Sequence, residues 1–182
     1  VVAPYTPKDC KGMLKAAIRD DNPVIFFENK TCYSVKGEVP DEEYIIPLGK
    51  ADIKREGESV TIVTYSSMVN VCTKAADMLQ TEGISCEIVD LRSLLPLDYD
   101  TVIASLKKTG RIVVAHEAAK RGGMGGDIIA EISERAFDYL DAPPLRVGAK
   151  NIPTPYSEIL EKAVLPNVND IIETVHRVMS DD

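Results

Sequence analysis

A histidine and a glycine-rich run lie together where a general base or a phosphate site could form. His116 follows a strand predicted at 111–115, and the glycines of residues 121–127 precede an amphipathic helix. Backbone N–H groups at a helix start can bind phosphate, and histidine can act as a base near neutral pH. The spacing matches neither G-x-G-x-x-G, because position 128 is Ile, nor G-x-x-x-x-G-K-[ST]. A tight turn is therefore favoured, and a phosphate site stays open as the alternative.

His116 has only Glu117 beside it as a candidate catalytic partner. A general base needs a nucleophile or substrate within hydrogen-bond reach, and the chain has no G-x-S-x-G motif. We therefore interpret His116 and Glu117 as structural or interface residues. His176, four residues after Ile172, is expected on the solvated flank of a helix. No residue is predicted to be catalytic or to hold a cofactor or a metal.

Composition narrows the class of protein. The chain has 182 residues, 45% of them hydrophobic, and 21 Lys+Arg against 29 Asp+Glu, a net charge of −8. This length suits about one domain, and no apolar run is long enough to span a membrane. The negative charge argues against nucleic acid as a partner, since such binding depends on neutralising phosphates. The chain begins Val1-Val2-Ala3 without Met, so we expect it to be a piece of a longer protein.

The four cysteines indicate a reducing compartment. They form no C-x-x-C pair and no spacing typical of zinc sites, so we expect free thiols. They are Cys10, Cys32, Cys72 and Cys86.

The elements that must position these residues alternate between short apolar runs and amphipathic helices. Thr6-Pro7 predicts a helix start, and residues 24–27 form an apolar run typical of a buried strand. Residues 29–58 hold prolines, glycines and charges without helical period, which predicts a linker whose one candidate edge strand is 44–46. From residue 59 onward, strands and helices alternate regularly. This alternation predicts a three-layer αβα domain with a mostly parallel sheet.

Negative charge is concentrated near the carboxyl end of the chain. The last 32 residues hold two Lys/Arg and six Asp/Glu, which gives 2 − 6 = −4, half of the net charge. Such an asymmetry could steer a basic protein partner, or it could simply be a solvated surface. The residues alone leave both interpretations open.

Several short strings together resemble one family over the whole length of the chain. They resemble the beta subunit of the thiamine-diphosphate-dependent E1 component of 2-oxo acid dehydrogenase complexes, of the pyruvate, branched-chain and acetoin types. The strings are DNPVIFFE at 21–28, IPLGKA at 46–51, VDLRSLLPLD at 89–98, KTGR at 108–111, HEA at 116–118, LDAP at 140–143, PTPY at 153–156 and LPN at 165–167.

The resemblance implies a domain division and a cofactor. Residues 59–182 are expected to form a transketolase C-terminal-like domain, 29–58 a linker, and 1–28 the last helix and strand of a preceding pyrimidine-binding domain. The holoenzyme would use thiamine diphosphate with Mg²⁺. In the family the catalytic glutamate and the aminopyrimidine-binding residues lie upstream, and the alpha subunit holds the diphosphate. No cofactor is therefore expected in this fragment, which we expect to be inert by itself.

The resemblance also implies partners. These are the E1 alpha subunit, a second beta subunit, and the small basic subunit-binding domain of the E2 acyltransferase. The E2 contact would involve Asp141, which precedes the Ala-Pro pair, and the terminal residues Asp181 and Asp182. This favours a docking role for the acidic carboxyl end. Asn151 stands where many relatives have Asp, so no role is assigned to a carboxylate there.

The function expected from this resemblance is assembly of the E1 heterotetramer and its docking on E2. The reaction would be oxidative decarboxylation of a 2-oxo acid, foremost pyruvate, with transfer of the acyl group to lipoyl-E2. A branched-chain 2-oxo acid or acetoin enzyme is the first alternative. A stand-alone nucleotide-binding domain and a purely structural assembly domain are alternatives from other classes. The compartment would be the bacterial cytoplasm or the mitochondrial matrix.

Overall fold

The structure is a computed structural model that describes residues 1–180. Five strands and six α-helices follow one another in it. The strands are β1 (Asp52–Arg55), β2 (Val60–Thr64), β3 (Cys86–Asp90), β4 (Ile112–Ala119) and β5 (Leu145–Ala149). The helices are α1 (Pro7–Ile18), α2 (Met68–Thr81), α3 (Tyr99–Thr109), α4 (Gly125–Ala136), α5 (Glu158–Val164) and α6 (Val168–Met179). None of these helices is long and apolar enough to cross a membrane.

The sheet has the strand order β1-β3-β2-β4-β5. Three of its four pairings, β3 with β2, β2 with β4 and β4 with β5, are parallel, and β1 joins β3 antiparallel at one edge. Every residue of β2 and β3 is buried. Strands covered on both faces need apolar side chains in both directions, which explains the Ile-Val pairs at 62–63 and 88–89 in their centres. The predicted three-layer fold with a mostly parallel sheet is confirmed.

Two apolar layers cover the sheet. Helices α2 and α6 pack on one face, where Leu79, Ile88 and Ile171 belong to one buried cluster. Helices α3 and α4 pack on the other, where Leu106 and Ile132 belong to a second cluster. A third, smaller cluster of Val2, Met13 and Ile46 joins α1 to the chain that precedes β1.

Local sequence signals explain where several helices begin and end. Thr6 caps α1, with its hydroxyl oxygen accepting from the Asp9 N–H at 3.1 Å. Asn167 and Asp170 form a capping box at the start of α6. Gly110 ends α3 in the left-handed conformation, at φ 67°, which glycine adopts without a Cβ penalty.

The prediction of a buried strand at 24–27 was wrong. Phe26 makes only an isolated bridge to Val2 among the described residues, and Ile25 and Phe27 are about half exposed. A buried strand needs neighbours that cover both faces, and residues 1–180 supply too few for this run.

The predicted linker holds an edge strand at a different place from the one expected. Residues 44–46 are not a strand, and β1 forms at 52–55 instead. Three of the four residues of this strand are charged, a composition that suits an edge but resembles a loop in sequence. A short helix, α5, also forms where the sequence predicted no element. The domain boundaries at 28/29 and 58/59 themselves stay predictions.

Candidate functional site

A cleft of about 370 Å³ opens at the carboxyl edge of the sheet. It lies between the chain that follows the Phe26 bridge and the loops that follow β2 and β3. Open α/β sheets bind ligands at this edge, so its residues are the first candidates for function. The cleft is lined by Ala3, Phe27, Glu28, Asn29, Tyr65, Ser66, Ser67, Leu94, Glu117 and Ala118.

Glu117 joins two parts of the chain across this cleft. Its Oε2 accepts from Asn29 Nδ2 at 2.9 Å and from Ser67 Oγ at 2.5 Å. Asn29 also donates to Ser67 Oγ at 3.0 Å and caps the short helix that follows it. The carboxylate thus lies beside the start of α2, where the helix dipole favours negative charge. Its expected part in an interface with another chain stays a prediction.

His116 is fully buried in the interior of β4. Its Nδ1 lies 3.0 Å from the Ala118 carbonyl oxygen, which can only accept, so we assign the proton to Nδ1. Nε2 then carries a lone pair, and it has no hydrogen-bond partner within the described chain. Burial lowers the pKa of this imidazole below its ordinary value. His116 is therefore a neutral side chain without a nucleophile within hydrogen-bond distance, and its expected interface role stays a prediction.

The glycine-rich run surrounds this imidazole. A Cβ built on Gly125 would lie 2.6 Å from His116 Nε2, and one on Gly123 would lie 2.7 Å from Cε1. A Cβ on Gly148 of β5 would lie 3.0 Å from Cε1. Contacts of this kind leave no room for a side chain at these positions. The glycines thus accommodate His116 at the start of α4, which supports the tight-turn interpretation over a phosphate site.

A buried cluster of charges joins α1 to the sheet, and the sequence reasoning missed it. Asp9 is 2% exposed, and its Oδ1 accepts from Arg92 Nη1 at 3.0 Å while its Oδ2 accepts from Lys54 Nζ at 2.6 Å. Lys54 also lies 2.7 Å from Asp52 Oδ2 and 3.7 Å from Asp90 Oδ2. Because each carboxylate oxygen of Asp9 accepts from a different cation, Asp9 holds α1 against β1 and the loop after β3.

Arg92 contributes to this cluster from an unusual backbone conformation. Its φ is +53°, and its guanidinium also donates to the carbonyl oxygens of Lys50 and Ala51 at 3.1 and 2.9 Å. A positive φ costs about 1–3 kcal/mol for a residue other than glycine, so the surrounding contacts must offset it. One sequence signal was available, because Asp90-Leu91-Arg92 lies within the string that carries the family resemblance.

Asp90 is the member of the cluster with the most perturbed acidity. Its Oδ1 accepts from the Arg92 N–H at 3.1 Å, whereas its buried Oδ2 has no hydrogen-bond partner within residues 1–180. Burial raises the pKa of Asp90 to about 7, although the positive charge of Lys54 opposes this. The folded protein therefore keeps a proton here between about pH 4 and pH 7 that the unfolded chain releases. Stability from this group is lost as pH rises through that window.

The Asp90→Asn variant tests this titration. Because asparagine carries no proton to lose, we expect the free energy of unfolding of the variant, relative to the unchanged protein, to rise by roughly 2.5 kcal/mol between pH 5 and pH 8. Urea unfolding at several pH values measures the difference. Asp21→Asn, at an exposed position, is the matched control and should show a constant difference. Parallel pH profiles for Asp90→Asn would show that Asp90 is already ionised at pH 5.

Asp141 is accessible to a partner, as its predicted role requires. Its side chain is 64% exposed, and its Oδ2 lies 3.8 Å from Arg111 Nη1. The Asp141 N–H donates to the Gly110 carbonyl at 2.8 Å, which holds the residue beside the end of α3. Asp181 and Asp182, the other residues predicted to bind E2, lie outside the described residues. The docking role of all three stays a prediction.

A metal site requires several ligating side chains close together. Across the described part of the chain, no group of three or more His, Cys, Asp or Glu side chains comes together as a ligand set. The four cysteines are free thiols, as predicted. The glycine run after β4 is filled by the His116 imidazole and forms no cradle for a diphosphate group.

Comparison with known proteins decides the family. The family model described as "Transketolase, C-terminal domain" matches residues 49–171. The chain belongs to this family. The matched stretch begins before β1, so the edge strand in the predicted linker falls inside it.

The chain is also similar to curated proteins that are beta subunits of pyruvate dehydrogenase. The chain is 51% identical over 180 residues to the pyruvate dehydrogenase E1 component subunit beta of Bacillus subtilis, covering 98% of this chain and 55% of that protein. It is 43% identical over 182 residues to the mitochondrial subunit beta of Dictyostelium discoideum, covering 98% of this chain and 51% of that protein. The chain therefore spans about half the length of these relatives.

Solved structures agree with the family. A split-gene transketolase described as an inactive beta4 tetramer matches with a TM-score of 0.79 and 27% identity, over 98% of this chain and 56% of that one. A transketolase of Pichia stipitis matches with a TM-score of 0.64 at 13% identity, over 98% of this chain and 25% of that one, which shows the shared fold alone.

Proposed function

We propose that this chain is the C-terminal part of a pyruvate dehydrogenase E1 beta subunit, which helps to assemble the heterotetramer and docks it on E2. One observation carries the proposal: the chain matches pyruvate dehydrogenase beta subunits of bacteria and mitochondria at 43–51% identity along almost its whole length. In the complete enzyme, thiamine diphosphate with Mg²⁺ would supply the carbanion chemistry of decarboxylation. The residues of this chain would supply placement, subunit contacts and docking.

The whole protein would decarboxylate pyruvate and pass the acyl group to the lipoyl group of E2. Its partners would be the alpha subunit and a second beta subunit, in the cytoplasm or the mitochondrial matrix. The test is turnover by the full-length beta subunit mixed with its alpha subunit and thiamine diphosphate. Pyruvate is expected to be the preferred substrate, and the 1–182 fragment should show none of this activity. Preference for a branched-chain 2-oxo acid or for acetoin would reassign the enzyme within the family.

Asp141→Arg tests the docking role. The exposed carboxylate can accept a charge-assisted bond from an arginine of the basic E2 domain, and the reversed charge would repel it. We expect binding of that domain to the assembled alpha/beta protein, measured by calorimetry, to weaken tenfold or more, on the order of 1.4 kcal/mol. Glu134→Arg, an exposed charge reversal on α4, is the control and should bind normally. Unchanged affinity in Asp141→Arg would remove this residue from the docking surface.

A further inference from the structure

Three carboxylates share one lysine in the buried cluster that joins α1 to the sheet. Lys54 Nζ lies 2.6 Å from Asp9 Oδ2, 2.7 Å from Asp52 Oδ2 and 3.7 Å from Asp90 Oδ2. Arg92 Nη1 supplies the second cation, at 3.0 Å from Asp9 Oδ1 and 3.8 Å from Asp52 Oδ2. With all five groups ionised, the cluster would hold three negative charges against two positive ones. A proton on one of the carboxylates makes the opposite charges equal.

Asp90 is the carboxylate on which the contacts place this proton. It is fully buried, Lys54 lies beyond hydrogen-bond distance of its Oδ2, and that oxygen has no hydrogen-bond partner within residues 1–180. Asp9 accepts from both cations, and Asp52 is 42% exposed, so water can solvate it. Burying an ionised oxygen that lacks a hydrogen bond is costly, and a proton removes much of that cost. Burial raises the pKa of Asp90 to about 7, in agreement with this assignment.

The other titratable and charged groups near Asp90 come from five segments of the chain. Burial raises the pKa of the Tyr5 phenol and of the Cys32 thiol, so both stay neutral near pH 7. Burial opposes ionisation of Lys54, but the carboxylates around it outweigh this and raise its pKa. Lys8 and Glu38 line the adjoining cleft of about 440 Å³. The groups around Asp90 are Tyr5 before α1, Asp9 on α1, Cys32 in the short helix at Lys30–Ser34, Asp52 and Lys54 on β1, and Arg92 after β3.

Helix α1 depends on this cluster for its attachment to the sheet. It contributes no described residue to either of the two apolar layers that cover the sheet. Its own apolar contact is the small cluster of Val2, Met13 and Ile46, and its Ile18 is 75% exposed. The cleft beside the cluster brings solvent to Asp9 and Lys54, which line it. A change of charge inside the cluster therefore acts directly on the contact that holds α1.

We propose that Asp90 is a proton-sensitive latch, which holds α1 against β1 and the loop after β3 while its proton is bound and releases α1 more often once that proton is lost to solvent. The ionised carboxylate competes with Asp9 for Lys54 and leaves one negative charge without a counterion. Separation of α1 relieves this charge by letting water reach the cluster. The inference does not depend on the proposed function, because every group in it lies between Tyr5 and Arg92.

Hydrogen exchange of the full-length protein that contains this chain tests the latch. The opening constants of α1 and of β2 are measured between pH 6 and pH 8, after correction for the intrinsic exchange rate. We expect the opening constant of α1 to rise about tenfold over this range, because the pKa of Asp90 returns from about 7 to its ordinary value when α1 opens. Strand β2 should open less often than α1 at every pH. In Asp90→Asn the opening constant of α1 should not change with pH.

Asp98→Asn is the matched control. Asp98 is another buried aspartate, 5% exposed, but it caps α3 and lies outside the cluster, so this variant should keep the tenfold rise. Asp52→Asn is a second test at a half-exposed position. With one carboxylate fewer around Lys54, Asp90 ionises more easily, and the rise in α1 opening should move to lower pH.

Each outcome of these measurements decides for or against the latch. A pH-dependent opening of α1 that Asp90→Asn abolishes and Asp98→Asn retains supports it. An α1 opening constant that is independent of pH overturns it, as does the same rise in Asp90→Asn. Equal opening constants for α1 and β2 also overturn it, because they would place the titration in global unfolding. Where Asp90→Asn does not fold, Asp52→Asn decides alone, and an unshifted rise overturns the inference.

Discussion

The Asp9→Ala variant is expected to lose about 3–5 kcal/mol of unfolding free energy. Asp9 is buried and receives hydrogen bonds from both Arg92 and Lys54. Removing its carboxylate takes away the partner that these two largely buried cations share. The same carboxylate joins α1 to the sheet, so the loss should fall on the contact between residues 1–28 and the domain. We expect amide exchange in α1 to accelerate before exchange in β2 or β3 does.

Urea unfolding and hydrogen exchange of the 1–182 chain and of Asp9→Ala measure both effects. Asp21→Ala is the matched control, because it removes one charge from the same segment at an exposed position and should change stability by about 0.5 kcal/mol or less. The pH dependence provides a second observable. Burial opposes ionisation, but the hydrogen bonds from Lys54 and Thr6 outweigh it and hold the pKa of Asp9 below its ordinary value. The stability due to Asp9 is therefore present above about pH 4 and lost as pH falls further. A variant that unfolds like Asp21→Ala would show that the cluster does not hold α1.

The second large loss of stability is expected when Gly125 is replaced by alanine. In the Gly125→Ala variant, the new Cβ would lie 2.6 Å from His116 Nε2 and 2.8 Å from Cδ2, closer than van der Waals contact allows. Because the imidazole is enclosed by β4, β5 and the start of α4, it cannot move aside without disturbing the core. We expect a loss of about 2–3 kcal/mol in the free energy of unfolding.

A double-mutant cycle isolates the contact between Gly125 and His116. His116→Ala removes the ring, so Gly125→Ala should cost little in that background, giving a coupling of about 1–3 kcal/mol. Gly126→Ala on the same helix is the control, because its Cβ meets only the flexible end of Arg146 at 3.1 Å. That control should be neutral or slightly stabilising, since alanine favours helix over glycine. Additive losses in the cycle would show that His116 is not what the glycine accommodates.

Most of the domain could be predicted from local patterns in the sequence. Helix α1 begins at Thr6-Pro7 as predicted, and strands β2 to β5 alternate with helices α2 to α4 in the stretch where alternation was predicted. These signals are local, because the residues that favour an element lie within it or next to it. The parallel arrangement follows from the alternation itself. A helix between two strands carries the chain back so that the second strand runs parallel to the first, and such connections are right-handed.

Elements at the edges of the structure were predicted least well. The run 24–27 is apolar without being a buried strand, and β1 has the composition of a loop. In both cases the outcome depends on which other segments lie alongside. Whether a run of residues is covered on one face or on two is decided by the neighbours and not by the run.

For the candidate site, too, the sequence indicates some residues, whereas their partners depend on the tertiary structure. Asp141 lies within a recognisable string, LDAP at 140–143, and the glycine run after β4 predicts a tight turn from composition alone. The partners of these residues depend on tertiary contacts: Asp9 and Arg92 are 83 positions apart, and Glu117 meets Asn29 over 88 positions. His116 is enclosed partly by Gly148 of another strand. Sequence determined which groups were available, and packing determined which of them are buried together, because burial and pairing arise only when distant segments meet.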